Sequence, residues 1–239
     1  MSPDLTDELV QQILSSGYAV VRNAVEPECL DHFQSMITAI VPTDASGKRS
    51  TSLYGVRQLL SVLPGLRAIL MRTPFIELAQ RILGESARPV KGIYFDKTQE
   101  ANWPVPWHQD VTITIRERRD VPGFEMRPVT EGLVHAIPPV ELSQQILALR
   151  IHLDDAAADH GALRVIAGSH LCGRLAADAL HRQISAGSEQ TVAVRRGDIM
   201  LMRPLLLHAS SPCQRPDHRR VIHVEYASFD LPSGLEWAG

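Results

Sequence analysis

Trp103-Pro104-Val105-Pro106-Trp107-His108-Gln109-Asp110, followed by Val111-Thr112-Ile113-Thr114-Ile115, is the stretch on which the reading of this chain turns. Its prolines stiffen an approach that ends in an imidazole and a carboxylate two residues apart. Alternate residues of a strand share a face, so His108 and Asp110 are expected to point the same way. One imidazole and one carboxylate are two of the three donors in the 2-His-1-carboxylate triad that holds non-haem Fe(II). A third donor and a co-substrate site would complete such a centre.

Composition frames the search. The chain has 239 residues, 44% hydrophobic and 21% charged, with a formal net charge of -3, which suits a soluble protein with an ample core. Neither a basic excess nor a basic run points to nucleic acid or an anionic membrane surface. No apolar run approaches the ~20 residues that span a bilayer, and the acidic, polar N-terminus is unlike a signal peptide. Cys29, Cys172 and Cys213 form no CxxC pair. That argues against a disulfide framework or a structural zinc site and for a reducing, cytoplasmic setting. The expected partner is a small-molecule substrate; the oligomeric state is not readable.

Around the quoted stretch the chain begins helical and turns to strands. Apolar spacing predicts a helix over Asp7 to Ser15, a short strand over Tyr18 to Val21, and a helix from Pro27 to about Ile40. Thr43 to Thr51 reads as a loop. Helices are expected from Pro64 to about Met71 and over a segment with Thr73 as N-cap, Pro74 at its first position and Gly84 past its end. From Arg88 onward, short apolar runs between turn signals read as strands: Val90 to Phe95, Val111 to Ile115, Ile146 to Leu153, Leu163 to Ile166, Thr191 to Val194, Ile199 to Met202, Leu205 to Leu207 and Val221 to Tyr226. The proline-rich connection over residues 116–141 is long enough to suggest a lid or binding loop. The architecture expected is mainly β, one domain over 1–239, with a helical flank (1–87) packed on a β-sandwich core (88–230).

His208 is the expected third donor. It ends the apolar run Leu205-Leu206-Leu207 just before the turn Ser211-Pro212-Cys213-Gln214-Arg215-Pro216. A competing HxD, His152-Leu153-Asp154, also reads as a strand end with a capping Asp. If the runs flanking the turn form a bulge-free hairpin, His208 stands opposite Arg219, and opposed residues share a face. Arg219 and Ser210 would then lie beside the metal, where a guanidinium grips a carboxylate bidentately, and Arg220 would point away. In Arg150 and His152, alternating with Leu149, Ile151 and Leu153, a polar face could reach the substrate.

These features together resemble the phytanoyl-CoA dioxygenase family of Fe(II)- and 2-oxoglutarate-dependent oxygenases. The matching segments are Gly17-Tyr18-Ala19-Val20-Val21, Trp107-His108-Gln109-Asp110, Gly161-Ala162-Leu163-Arg164-Val165-Ile166-Ala167-Gly168-Ser169-His170, Gly197-Asp198, His208 with Ser210, and Arg219. Ala167 departs from the proline often found there. The resemblance implies a double-stranded β-helix (jelly-roll) core flanked by α-helices. It implies Fe(II) on His108, Asp110 and His208, and 2-oxoglutarate chelating the metal with its far carboxylate on Arg219 and Ser210. Lys97 is a further candidate for that carboxylate. The implied reaction uses O2 and oxidises a substrate C–H bond, hydroxylation being the default, with release of succinate and CO2; Asp110 speaks against halogenation. The alternatives are a cupin-type metal-dependent hydrolase or isomerase, and a non-catalytic binding protein on the same fold.

Overall fold

The computed structural model describes residues 7–40, 55–98, 101–130, 132–214 and 218–238. The loop expected over Thr43 to Thr51 lies outside the described residues, as do Arg215 and Pro216 of the expected turn. The first part runs α1 (Asp7–Ser16), β1 (Tyr18–Val21), α2 (Pro27–Ile40), β2 (Gly55–Val56), α3 (Leu59–Val62), α4 (Pro64–Leu70) and α5 (Phe75–Leu83). There follow β3 (Arg88–Lys97), β4 (Val105–His108), β5 (Ile113–Ile115), β6 (Glu125–Met126), β7 (Val134–Ile137), α6 (Val140–Ser143) and β8 (Ile146–His152). The last part holds β9 (Leu163–Ile166), α7 (Ala177–Ala186), β10 (Glu189–Val192), β11 (Ile199–Met202), β12 (Leu207–Ser210) and β13 (Arg219–Ala227).

All strand pairs are antiparallel. A major sheet has the order β1-β11-β8-β13-β3-β2 and a minor sheet the order β10-β9-β12-β4. Side chains alternate across each strand, so every major-sheet strand has an outer and an inner face. The outer face carries Leu147, Leu149, Ile151, Ile222, Val224 and Tyr226, buried against Ile13, Phe33, Leu66, Leu70 and Phe75 of the helices. On the inner side Ala148, Met200 and Met202 meet Leu163, Val165 and Val192 of the minor sheet. This is the expected jelly-roll sandwich with helices on one side. Among the described residues no helix is long and apolar enough to cross a membrane.

Local differences from the sequence reading have physical causes. Thr73 does not cap α5: its hydroxyl bonds the Glu77 carboxylate (2.5 Å), and Pro74 occupies the cap position. The strand expected over Leu205 to Leu207 begins only at Leu207, because Leu206 N donates to Arg203 O (3.0 Å) and closes a turn. Helix α7 gave no signal because none of its residues is buried. The 116–141 connection carries structure of its own: β6 and β7 join β5 in a three-stranded sheet, over a small core that includes Ile113, Ala136 and Leu235.

Candidate metal and co-substrate site

Strand β4 is an edge strand, so Pro106 can sit in it without breaking the ladder inside the sheet. His108 closes the strand. Asp110 follows two residues beyond it, its backbone N–H held by Pro204 O at 2.8 Å. Gln109 turns the opposite way and staples the backbone: Nε2 donates to Gly173 O (2.9 Å) and Leu205 O (2.7 Å), and Oε1 accepts from Leu175 N (2.9 Å). His108 and Asp110 are thereby left on one side.

His208 comes from β12, paired directly with His108. Each imidazole approaches a carbonyl through Nδ1, that of Pro106 for His108 (2.8 Å) and that of Leu206 for His208 (2.9 Å). A carbonyl only accepts, so Nδ1 donates and each Nε2 keeps its lone pair, the arrangement that orients metal-binding histidines. Those Nε2 atoms stand 3.5 and 3.6 Å from the two Asp110 oxygens. The potential ligand atoms of the three residues all lie within 4.8 Å of one another.

Charge follows the geometry. Burial pushes the His208 imidazolium down to about 4, so its ring is neutral at physiological pH. Asp110 is partly buried, which works against its charge, but the two histidines and His223 outweigh that and hold its carboxyl well below the usual range. For His108, burial opposes the charge while Asp110 and the Pro106 carbonyl more than compensate, leaving it above its ordinary value. An ionised carboxylate between two imidazole lone pairs is a donor set suited to a divalent first-row metal.

The triad opens on a cavity of about 320 Å³ between the two sheets. At one end Lys97, Ser210 and Arg219 converge, all buried. Lys97 Nζ donates to Ser210 Oγ (2.9 Å) and Ser211 O (3.1 Å), and Arg219 Nη1 lies 3.3 Å from Ser210 Oγ. Arg219 Nη1 also donates to Gly161 O, which accepts from Ser210 Oγ as well (3.0 Å). Gly161 is at φ +67°, and a Cβ there would sit 3.1 Å from Ser211 O, so glycine is what lets this carbonyl reach both side chains. Arg219 Nε is buried without a partner among the described residues.

Arg219 reaches the site by a different route from the one expected. β12 belongs to the minor sheet and β13 to the major sheet, so His208 and Arg219 are not opposed in a hairpin. The connecting segment crosses from one sheet to the other: the Asn102 side chain brackets Cys213 with two bonds of 2.6 Å, and Gln214 N is tied to Asp159 O. Arg219 is in register with Lys97 on β3 and faces Ser210 across the sandwich. Arg220 points outward to Asp154. The competing HxD therefore splits, with Asp154 engaged by Arg220 and His152 buried inside, both ring nitrogens unpartnered among the described residues.

The polar face of β8 does look inward. Arg150 lines the cavity and His152 does not. Sequence reasoning missed His223, Glu225 and Lys91, which also line it. Lys91 Nζ pairs with Glu225 Oε1 at 2.7 Å, and His223 Nδ1 lies 3.1 Å from Arg150 Nη1. The signal was there for two of them: His223 and Glu225 alternate with the apolar Ile222, Val224 and Tyr226, on the same face as Arg219.

A family model described as phytanoyl-CoA dioxygenase (PhyH) matches residues 13–221. The chain belongs to the phytanoyl-CoA dioxygenase family of non-haem Fe(II)- and 2-oxoglutarate-dependent oxygenases. No curated protein matches it by sequence. Among solved structures, AviO1 from Streptomyces viridochromogenes Tue57 is 23% identical with a TM-score of 0.67, covering 95% of each chain. SnoK, a non-haem alpha-ketoglutarate-dependent carbocyclase from nogalamycin biosynthesis, is 18% identical with a TM-score of 0.70, over 96% of this chain and 87% of that one. EctD from S. alaskensis, with 2-oxoglutarate and 5-hydroxyectoine, is 15% identical with a TM-score of 0.69, over 95% and 77%. At these identities the likeness is one of fold.

Proposed function

We propose that this family member hydroxylates a C–H bond of a small molecule, with Fe(II) held by His108, Asp110 and His208 and 2-oxoglutarate anchored by Arg219, Ser210 and Lys97. The observation that carries the reading is the convergence on one cavity of an imidazole–carboxylate–imidazole triad and, at the cavity's end, a buried cluster of two cations and a hydroxyl. The triad alone would serve a hydrolase or isomerase. The second cluster has no task in such an enzyme and fits a carboxylate.

When bound, iron and 2-oxoglutarate supply, with O2, the oxidation of the substrate carbon. The chain's own contribution is placement. Pro106 and Leu206 carbonyls fix the two imidazoles by Nδ1, and the Gln109 staple fixes the backbone that carries Asp110. Gly161 O aims Arg219 and Ser210 together, so the far carboxylate meets groups already in position. Hydroxylation rather than ring closure, the reaction of SnoK, is the outcome to test.

Anaerobic Fe(II) and 2-oxoglutarate should give the wild type a visible metal-to-ligand charge-transfer band. The band should be absent in His208→Ala. In Arg219→Ala, 2-oxoglutarate should bind about 100-fold more weakly, as expected when one partner of a buried charge pair is truncated. Succinate release and product mass then read the reaction: a gain of one oxygen supports hydroxylation, and a loss of two hydrogens overturns it. A well-folded, iron-loaded wild type without the band would sink the oxygenase assignment.

A further inference from the structure

The cavity extends past the triad, and its wall on that side is used by neither metal nor co-substrate. Along β13, Glu225 lies six residues from Arg219, about 20 Å at strand rise. It is in register with Lys91 on β3, and His223 is the inward residue before it. Lys91 Nζ donates to Thr112 O (3.2 Å), which brings Thr112 and Thr114, alternate residues leading into β5, to the same wall. The triad stands beside it: the Asp110 charge is felt at both Lys91 and Glu225.

Three polar groups of this wall are fixed in place and only partly engaged. Lys91 Nζ donates to Glu225 Oε1 at 2.7 Å and to Thr112 O, two of its three protons. The contacts of Glu225 run through Oε1, which leaves Oε2 without a partner among the described residues. Arg150 Nη1 donates to His223 Nδ1 at 3.1 Å. A guanidinium cannot accept, so the imidazole proton resides on Nε2. That nitrogen stands 3.6 Å from Glu225 Oε1, beyond hydrogen-bond reach. Neither Glu225 Oε2 nor His223 Nε2 is sealed in the interior, so both open on the cavity that their residues line. An acceptor flanked by two donors results.

The patch is polar, yet its charges cancel. Burial works against the Glu225 carboxylate, but Lys91 and His223 outweigh it and hold the carboxyl below its ordinary range. Burial likewise opposes the Lys91 ammonium, and Glu225 and Asp110 outweigh it. The Arg150 charge is opposed by that of Asp110. Arg57, the other cation on this side, is exposed, where solvent screens it. A charged ligand group placed here would meet the like member of the Lys91–Glu225 pair, or would draw the pair apart and strand one buried charge. A hydroxyl both donates and accepts, so adjacent hydroxyls match the patch and leave the pair intact.

Resting on the oxygenase reading, we infer that the substrate is an uncharged, polyhydroxylated small molecule whose adjacent hydroxyls are held beside the metal by Glu225, Lys91 and His223.

The test uses methyl glucopyranoside and two analogues in which an aminomethyl or a carboxylate group replaces its hydroxymethyl. Each is added anaerobically to the protein loaded with Fe(II) and 2-oxoglutarate, and binding is read from the perturbation of the charge-transfer band. The wild type should bind the neutral glycoside about tenfold or more tightly than either charged analogue, the penalty of like charge at close range. Glu225→Gln leaves Lys91 unopposed and should turn the preference toward the carboxylate. Lys91→Gln should turn it toward the ammonium compound. A merely structural role would not reverse the order in opposite senses. Circular dichroism and bound iron check the fold. Should a single variant fail to fold, the double variant Lys91→Gln with Glu225→Gln strands no charge and should keep the neutral preference with weakened binding. Equal binding of the three compounds, binding of none, a charged analogue preferred by the wild type, or the wild-type order and affinities in every folded variant overturns the inference. A well-folded, iron-loaded wild type without the band overturns the oxygenase reading, and this inference with it.

Discussion

The two faces of the major sheet are built from the same strands and have opposite tasks. On β8, Leu147, Leu149 and Ile151 face the helices while Arg150 and His152 face the sandwich interior. On β13, Ile222, Val224 and Tyr226 face out, and Arg219, His223 and Glu225 face in. Both faces are buried, so burial alone does not separate them. What differs is the partner. Under the helices the outer face meets apolar side chains, where Tyr226 Oη is satisfied by Leu70 O at 2.8 Å, and at its edge Arg220 pairs with Asp154. The inner face surrounds a cavity and keeps cations that the protein does not fully pair. Stability should therefore reside on one side of the sheet and binding on the other.

The largest expected effect breaks the outer face. Phe75 is 1% exposed, with its ring centroid 5.7 Å from that of Phe33, in the core that covers β8 and β13. Phe75→Ala should cost about 3–5 kcal/mol of unfolding free energy, measured by denaturant titration. The folded fraction should bind 2-oxoglutarate with wild-type affinity. A variant that keeps its stability and loses the co-substrate would show that the two faces are not separable in this way.

Period-two patterning made much of this division legible in advance. His108 and Asp110 were placed on one side from their spacing, and His208 from its position at the end of an apolar run; the structure brings all three together. Arg219 was placed in the same cavity for a reason that does not hold. A turn of six residues between two apolar runs looks the same whether the strands pair or cross to opposite sheets, since the bonds that carry the crossing, Asn102 to Cys213 and Gln214 to Asp159, join residues far apart in sequence. The Lys91–Glu225 pair lay out of reach for the same reason: it is a register contact between strands 134 positions apart. Arg150 was recognisable as polar within an apolar strand, but which face of β8 looks inward is decided by the helices that cover the other.

A smaller effect sharpens the inner face. Burial, with Arg219 and Arg150 adding to it, lowers the Lys97 ammonium to about 7. In the empty cavity Lys97 is charged below that pH and neutral above it. A carboxylate pairs with the charged form, so 2-oxoglutarate binding should take up a proton once the pH exceeds about 7. Affinity should then fall with rising pH, by up to about tenfold per unit for one linked proton. Lys97→Met should flatten that dependence, and affinity titrations from pH 6 to pH 9 (roughly the range bracketing the shift) check it. A slope that persists in Lys97→Met assigns the proton to another group.

The smallest effect is expected one residue from a large one. Arg220 adjoins Arg219 but leaves the sheet on the other side, with Nε and Nη2 on the Asp154 carboxylate at 2.8 and 2.6 Å. Both side chains keep contact with solvent, 28% and 18% exposed. Truncating Arg220 does not strand Asp154, because Oδ2 still accepts from the Arg220 backbone N–H at 2.8 Å. Arg220→Ala should therefore cost no more than about 1 kcal/mol of stability, the range of exposed ion pairs, and should leave 2-oxoglutarate affinity unchanged. Denaturant titration and the charge-transfer band read the two quantities on one sample. Should Arg220→Ala weaken the co-substrate as Arg219→Ala does, the division of these two arginines between the faces of β13 fails, and the inward alternation that places His223 and Glu225 beside the cavity fails with it.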